Sequence, residues 1–310
     1  MRLLNRLKPM LLWFDAKSSV NQDETENPNK LGWSQVTPFV FMHLMVLAVI
    51  WVGFSWIAMW TAVALYFIRM FAITGFYHRY FSHKLFKTSR FMQFFFAFMG
   101  ASSAQRGPLW WAAHHRTHHH ASDKEEDPHS PRLQGFIWSH CLWFLSPKNL
   151  LTRTDKIKDF NKFPELRWLD RFDITAPLVL IIVLYCVGSL MAAYYPHLET
   201  TGAQMIVWGF FISTVALYHG TYTINSLAHR YGSRRFDTPD DSRNNALLAI
   251  ITLGEGWHNN HHYYPGSARQ GFVWWELDIT FYVLKIMSWC GLVWDLKPIP
   301  IEVQKEIARK

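Results

Sequence analysis

Two long apolar regions, separated by a polar region rich in histidine, dominate the pattern of hydrophobic and polar positions. Residues 36–77 form a run of 42 residues whose only charged side chain is Arg69, enough for two membrane passes at roughly 20 residues each. Residues 174–195 and 203–228 contain no Asp, Glu, Lys or Arg. The pattern predicts an all-α integral membrane protein with four transmembrane helices in two hairpins, at about 37–57, 58–80, 174–195 and 203–228.

The hairpin turns are predicted near residues 55–61 and 196–202, where Pro, Gly and polar residues interrupt the apolar pattern. Residues 81–172 and 229–273 are expected to form a helical cap that holds the polar chemistry. The predicted division is an N-terminal segment 1–35, a single domain 36–273 and a C-terminal segment 274–310.

The distribution of Lys and Arg predicts the orientation. Thirty of the 31 basic residues fall on one side of the four-span arrangement, and the two short hairpin turns have none. By the positive-inside rule, both termini and the polar regions face the cytoplasm. The net charge of +8 is then that of a basic face beside anionic lipid. It requires no nucleic acid, and it could attract an acidic redox partner.

Eight histidines in three clusters are the candidate chemistry: His78 and His83 in HRYFSH, His115, His118 and His119 in HRTHH, and His258, His261 and His262 in HNNHH. Helix positions i, i+3 and i+4 share a face, so each triplet can point one way. His78 and His83 are five apart, and we expect the helix to end or distort between them. Eight imidazoles exceed the three or four ligands of one ion, which predicts a site for two metals.

Longer stretches around these clusters resemble the membrane fatty acid desaturases. They are GFYHRYFSHKLFK, WWAAHHRTHH followed by EDPHSP, NSLAHRYGSRRFD and GEGWHNNHHYYP, in this order within residues 36–273. These stretches are similar to those of the Δ9 acyl-CoA (stearoyl-CoA type) desaturases. They favour an enzyme of a bacterial inner membrane over one of the endoplasmic reticulum.

The resemblance implies a reaction in which dioxygen is reduced to water at two irons while an acyl chain loses two hydrogens and gains a cis double bond. It adds His229 as a ninth ligand and Asn225 as a residue that holds a water on the second metal. Zinc found in an expressed sample would be a replacement, since zinc has no redox chemistry.

The resemblance also implies a kinked tunnel for the acyl chain. The positions that match its bend are Gln105, Trp111 and Thr221, and Tyr66 matches a residue near its closed end. Met70 is larger than the side chain expected one turn later. We therefore expect a shortened tunnel that favours a sixteen-carbon chain over an eighteen-carbon chain.

The expected partners are a long-chain acyl-CoA, O2, membrane lipid and a separate electron donor. No motif for flavin, nicotinamide or haem is found, so a ferredoxin, rubredoxin or haem protein, with its reductase, would supply electrons. The stretch RGPLWWAAH from Arg106 lacks the basic residues expected to hold a nucleotide. Acyl carrier protein and phospholipid therefore stay open as alternative carriers.

Two other functions remain as alternatives. A diiron lipid hydroxylase or ketolase would share these clusters and differ only in its product. A membrane metal transporter would place its ligands at mid-membrane, whereas these histidines follow the ends of the predicted spans.

Overall fold

The computed structural model describes residues 13–16 and 30–309, so most of the predicted segment 1–35 lies outside the described residues. The described chain is mostly helical. The helices are α1 (Trp33–Val52), α2 (Trp56–Ser82), α3 (Arg90–Ala101), α4 (Pro108–Ala121), α5 (Pro164–Arg171), α6 (Thr175–Tyr194), α7 (residues 202–226), α8 (Ala246–Ile251), α9 (His258–Tyr263), α10 (Ile279–Trp289) and α11 (Ile301–Arg309).

Shorter helical turns and one small sheet complete the fold. The turns are Pro131–Gln134, Trp138–Leu142, Trp143–Leu145, Pro147–Asn149, Thr154–Lys156, Lys158–Asn161, Pro196–Leu198 and Leu227–His229. The sheet pairs β1 (Lys87–Thr88) with β2 (Val293–Trp294) in antiparallel register, with Lys87 opposite Trp294.

Three helices, α1, α2 and α6, are long and apolar enough to cross a membrane. The first turn lies at residues 53–55, at the start of the region predicted from the sequence. Gly53 adopts a φ of 73°, which glycine tolerates best, and the Ser55 hydroxyl accepts a hydrogen bond from the Ala58 backbone N–H at 3.3 Å. These two residues therefore end α1 and start α2 a few residues earlier than the apolar pattern indicated.

Helix α7 combines Gly202–Ile206, the π-helical Val207–Ile212 and Ser213–Ser226. Its first turn packs closely on the end of α6. A Cβ atom added to Gly188 would lie 2.6 Å from the Thr201 carbonyl oxygen, so only glycine permits this approach. Helix α7 is not among the three helices that meet the length and hydropathy required of a span, and a fourth span stays a prediction.

The last eleven residues of α2, Ala72–Ser82, are all buried and form the centre of the fold. Helices α3 and α4 pack against this segment. The Phe76 ring stacks on Phe96 with centroids 4.0 Å apart. Residues beyond 273 also pack here, since the Thr74 and Thr280 hydroxyls are 2.7 Å apart. The end of α2 is thereby held on several sides, which fixes the position of His78.

Candidate metal centre

His78 and His83 are brought together by a distortion of α2. Residues Ala72–Ser82 are π-helical, and the His83 backbone N–H donates to the His78 carbonyl oxygen at 3.2 Å. This i to i−5 bond is the π-helical pattern, and it turns residues five apart toward one side. Their ring centroids are 4.9 Å apart. The expected distortion between the two histidines is confirmed.

The other histidines come from three elements. Helix α4 carries His115, His118 and His119, and α9 carries His258, His261 and His262. His229 ends the short turn that follows α7. Helix α4 is anchored at its start, where the Trp110 backbone N–H donates to Asp170 Oδ1 at 2.7 Å. A carboxylate at this end satisfies a free N–H group and complements the helix dipole.

All nine predicted histidines lie in two adjacent sets. The first set is His78, His83, His115, His119 and His261, and the second set is His118, His229, His258 and His262. Within each set, one ring nitrogen of every residue lies within 4.8 Å of the others. The rings of His119 and His262, one from each set, have centroids only 4.5 Å apart.

Each triplet is divided between the two sets in the same way. His115 and His119 belong to the first set, whereas His118 belongs to the second. Residues four apart differ by about 40° around a helix and residues three apart by about 60° in the opposite sense. The i, i+4 pair therefore faces one set and the i+3 residue faces the other. In α9, His258 and His262 face the second set and His261 the first.

Carboxylates hold the outer nitrogens of four of these rings. His118 Nδ1 lies 3.0 Å from both Asp127 oxygens, and His262 Nδ1 lies 2.7 Å from Asp240 Oδ2. His229 Nδ1 is 3.3 Å from Asp123 Oδ2, and His78 Nδ1 contacts Glu255. A carboxylate that accepts the Nδ1 proton fixes the ring and leaves the Nε2 lone pair for a metal.

Glu255 is held in turn by a buried cation. Arg79 is fully buried, and its guanidinium lies 3.0 Å from Glu255 and 2.9 Å from Asp278. Burial alone would raise the pKa of Glu255, but His78 and Arg79 lower it below the usual range. Glu255 is therefore a carboxylate that can accept the proton of His78.

Burial keeps most of these imidazoles neutral. Burial, reinforced by neighbouring imidazoles, lowers the pKa well below that of free histidine for His83, His115, His119, His258 and His261. For His262, burial lowers the pKa to about 4 although Asp240 acts in the opposite direction. Burial likewise opposes protonation of His118, but Asp127 raises its pKa overall. Neutral imidazole is the form that binds metals.

The geometry fits metal ions. His78 Nε2 and His119 Nε2 lie 3.0 and 2.9 Å from His261 Nε2, and His229 Nε2 lies 3.1 Å from His258 Nε2. His262 Nε2 is buried and has no hydrogen-bond partner among the described residues. In each set several imidazole nitrogens meet without enough protons to form hydrogen bonds among them all, and a cation would stabilise such a cluster. The five histidines of the first set and the four of the second are more ligands than one ion needs.

Asn225 lies beside the second set. It lines a small cavity of about 40 Å³ together with His118 and His258, while its backbone carbonyl accepts from the Ser139 hydroxyl at 2.6 Å. This placement suits the predicted role of holding a water, which stays a prediction.

The predicted bend residues meet next to the histidines. Gln105 Nε2 donates to the Thr221 hydroxyl at 3.1 Å, and the Trp111 ring stacks on His115 with centroids 5.1 Å apart. These three residues line a cavity of about 420 Å³ that runs from the start of α1 toward His115. Trp111 and Thr221 also line the small cavity, so the two cavities meet at these residues. The bend of an acyl-chain tunnel at these three residues stays a prediction.

Tyr66 and Met70 are the residues predicted at the closed end of the tunnel. Met70 lines the small cavity and is 1% exposed, and the Tyr66 hydroxyl donates to the Ile251 carbonyl oxygen at 2.7 Å. A Cβ atom on Gly220 would lie 2.7 Å from the Tyr66 hydroxyl and 3.0 Å from Met70 Cε. The two side chains are thus packed against α7, and the space beside Met70 is small.

Three histidines outside the sets form a hydrogen-bonded line. His43 Nε2 lies 3.2 Å from His219 Nε2, His219 Nδ1 lies 3.0 Å from His140 Nε2, and His140 Nδ1 lies 2.9 Å from the Ser226 hydroxyl. His219 uses both nitrogens in different directions, so the rings do not converge on one point as metal ligands would.

Sequence reasoning missed the residues that orient the ligands, namely Asp123, Asp127, Asp240 and Glu255. Asp127 follows His118 by nine residues and Glu255 precedes His258 by three, so acidic residues near each cluster were the available signal. That signal alone would have paired Glu255 with His258, whereas the structure pairs it with His78.

The sequence profile described as fatty acid desaturase matches residues 54–285. This match covers most of the chain and all nine histidines. The chain belongs to the fatty acid desaturase family. The desaturase family normally uses a diiron centre, fatty acyl substrates and an electron donor, and the two histidine sets fit metal binding.

Similar desaturases differ in substrate. The chain is 38% identical to an acyl-CoA 5-desaturase of Anemone leveillei over 256 residues, covering 81% of this chain and 75% of that protein. It is 35% identical to an sn-2 palmitoyl-lipid 9-desaturase of Nostoc sp. (strain 36), covering 87% and 91%. It is 37% identical to a chloroplastic palmitoyl-monogalactosyldiacylglycerol delta-7 desaturase of Arabidopsis thaliana, covering 89% and 71%. The resemblance is therefore confirmed for the family and not for the Δ9 acyl-CoA type.

Proposed function

We propose that this desaturase introduces a cis double bond, at the Δ9 position, into a saturated chain of sixteen or eighteen carbons. The observation that carries the proposal is the cavity lined by Gln105, Trp111 and Thr221, which meets a second, small cavity lined by histidines of both sets. A bend of the chain at these residues, as predicted, would bring two adjacent methylenes to one fixed place beside the histidines. Two of the similar proteins are named as desaturases that act at the 9 position, which supports this position for the double bond.

The two histidine sets would each hold one iron, with Asn225 contributing through a water. Iron and O2 would supply the oxidising power that amino-acid side chains lack. The chain's own residues fix four of the imidazoles through Asp123, Asp127, Asp240 and Glu255, while burial keeps most of the rings neutral. Trp111 and Met70 exclude water from the place where C–H bonds are broken, which prevents side reactions.

The balance of the reaction requires an electron donor. Formation of one double bond removes two hydrogens from the chain, and reduction of O2 to two waters needs two further electrons and two protons. We propose that a separate ferredoxin, rubredoxin or haem protein docks on the basic face.

We also propose a membrane arrangement. Residues 202–226 serve as a fourth span beside α1, α2 and α6, and both termini and the metal centre lie on the cytoplasmic side of a bacterial inner membrane. The polar residues 81–172 and 229–273 form the cap. Support comes from the apolar helices and from the one-sided distribution of Lys and Arg.

The decisive experiment is product analysis. The protein is purified with iron, supplied with a chemical reductant and saturated acyl substrates, and the products are identified by gas chromatography with double-bond location. We expect a cis alkene, and His261→Ala should abolish it while the protein stays folded. An alcohol or ketone as the main product would instead establish the hydroxylase or ketolase alternative.

A further inference from the structure

The larger cavity has walls made by membrane-spanning helices. Pro38, Phe41 and Met42 of α1 line one side, and Pro177, Leu178 and Ile181 of α6 line another. No residue of α1 is buried, and Phe41 and Leu178 are 52% and 41% exposed. The helices that separate this cavity from lipid therefore leave its lining side chains accessible.

The depth of these residues places this part of the wall within the hydrocarbon region. Phe41 lies eight residues after the start of α1 and Ile181 six residues after the start of α6. At about 1.5 Å per residue these positions are about 12 and 9 Å from the helix starts. A chain that enters between α1 and α6 therefore enters from the bilayer.

The rim of the cavity is polar at the level where α1 and α6 begin. It includes Ser34 and Gln35 from the first turn of α1, and Asp173 just before α6. Arg106 Nε is buried and has no hydrogen-bond partner among the described residues, which makes it a donor suited to an ester carbonyl. This rim lies where the glycerol esters of a membrane lipid reside.

The charge of the rim disfavours a nucleotide head group. Arg106 is the one Lys or Arg among the described residues that line the cavity, and its guanidinium lies 3.5 Å from the Asp173 carboxylate. The phosphates of coenzyme A need cations that are free to pair with them. A glycerolipid ester needs only hydrogen bonds at this point.

We propose that the acyl substrate of this desaturase is esterified to a membrane glycerolipid, whose chain enters the cavity sideways between α1 and α6. This inference rests on the proposed function and names the carrier for the same site. The lipid head group stays at the membrane surface, the ester lies at the rim near Arg106, and the chain runs past Trp111 to the histidine sets.

The test compares Leu178, which lines the cavity at the proposed entry between α1 and α6, with a neighbouring residue on the same helix. Leu178→Trp adds bulk at the proposed entry, whereas Ile182→Trp adds the same bulk one turn later at a position that is 60% exposed and does not line the cavity. Met42→Trp repeats the test from α1, in case the first variant does not fold.

The first measurement needs no metal. Metal-free protein from phosphatidylglycerol nanodiscs is analysed by native mass spectrometry for retained phospholipid. We expect Leu178→Trp and Met42→Trp to retain less lipid by about tenfold, and Ile182→Trp to behave as the unaltered protein. Equal retention in all four proteins would overturn the lateral entry.

The second measurement supplies the same labelled palmitoyl chain either in phosphatidylglycerol vesicles or as palmitoyl-CoA to iron-loaded protein. We expect double bonds in the vesicle lipid, lost in Leu178→Trp and kept in Ile182→Trp. Product from palmitoyl-CoA alone would refute the lipid carrier and leave the desaturase function intact. No alkene from either carrier would refute the desaturase function itself, while lipid retention still decides the entry route.

Discussion

The contact between Asp240 and His262 gives a sharp test of how the ligands are held. Asp240 Oδ2 accepts the Nδ1 proton of His262 at 2.7 Å, and Asp240 Oδ1 accepts from the Ser242 backbone N–H at 3.1 Å. Asp240→Asn keeps the shape and replaces one acceptor by an NH2 donor. If the amide NH2 is turned toward Ser242, it faces the backbone N–H, and if it is turned toward His262, it faces the Nδ1–H group of the ring.

The expected loss of metal affinity follows from the role of carboxylates that orient metal-bound histidines. If the amide NH2 faces His262, the ring must accept at Nδ1 and carry its proton on Nε2, where it can no longer bind a metal. Loss of a carboxylate that orients a metal-bound histidine costs about tenfold to a hundredfold in metal affinity, or about 1.4 to 2.8 kcal/mol. Because His262 belongs to the second set, the first set should be affected much less.

The assay is metal titration of metal-free protein by calorimetry, together with the iron content after dialysis. We expect two sites of similar affinity in the unaltered protein, and one strong and one weakened site in Asp240→Asn. Asp241→Asn is the matched control, because the neighbouring Asp241 carboxylate lies beside Arg132, 3.8 Å away, and holds no ring of the two sets. Two unchanged sites in Asp240→Asn would refute the idea that this carboxylate fixes the ligand.

Three further outcomes are expected. His118→Ala should remove turnover and lower the metal content without changing the circular dichroism spectrum, whereas His120→Ala, outside both sets, should keep both. Met70→Ala should shift the products toward longer chains and cost about 2 to 5 kcal/mol of stability, because it opens a tightly packed site; an unchanged chain-length ratio would contradict the role of Met70. Burial raises the pKa of Asp170 to about 6, so the folded chain binds this proton more tightly than the unfolded chain does. Asp170 therefore contributes stability that is lost as the pH rises from about 4 to about 6, which opposes the stability gained over the same range by the buried neutral histidines. Asp170→Asn should accordingly make the thermal stability of the metal-free protein rise more steeply with pH.

The sequence was most informative where local geometry governs. The spacing of His115, His118 and His119 and of His258, His261 and His262 follows the helical period, so their joint placement was predictable. The five-residue spacing of His78 and His83 predicted a distortion, and the structure has a π-helix there. Apolar run lengths located α1, α2 and α6 to within a few residues, because helix length and membrane thickness are linked.

The division of the histidines into sets of five and four depended on tertiary structure. The angular offset between i+3 and i+4 is a local property, but which set each face meets depends on where α2, α4 and α9 lie relative to one another. The turn at residues 53–55 is a smaller example. Gly53 and Ser55 ended and restarted the helix inside a stretch whose hydrophobicity alone did not mark the boundary.

The sequence by itself thus determined the class of the protein, the identity of the nine metal-binding candidates and the apolar helices beside them. Only the tertiary structure decided which carboxylates orient the rings, since Asp123 meets His229 across 106 residues and Glu255 meets His78 from a distant segment. It also decided that the cavity borders α1 and α6. The physical reason is that a hydrogen bond or a cavity wall depends on distances between chain segments, and the order of residues along the chain does not encode those distances locally.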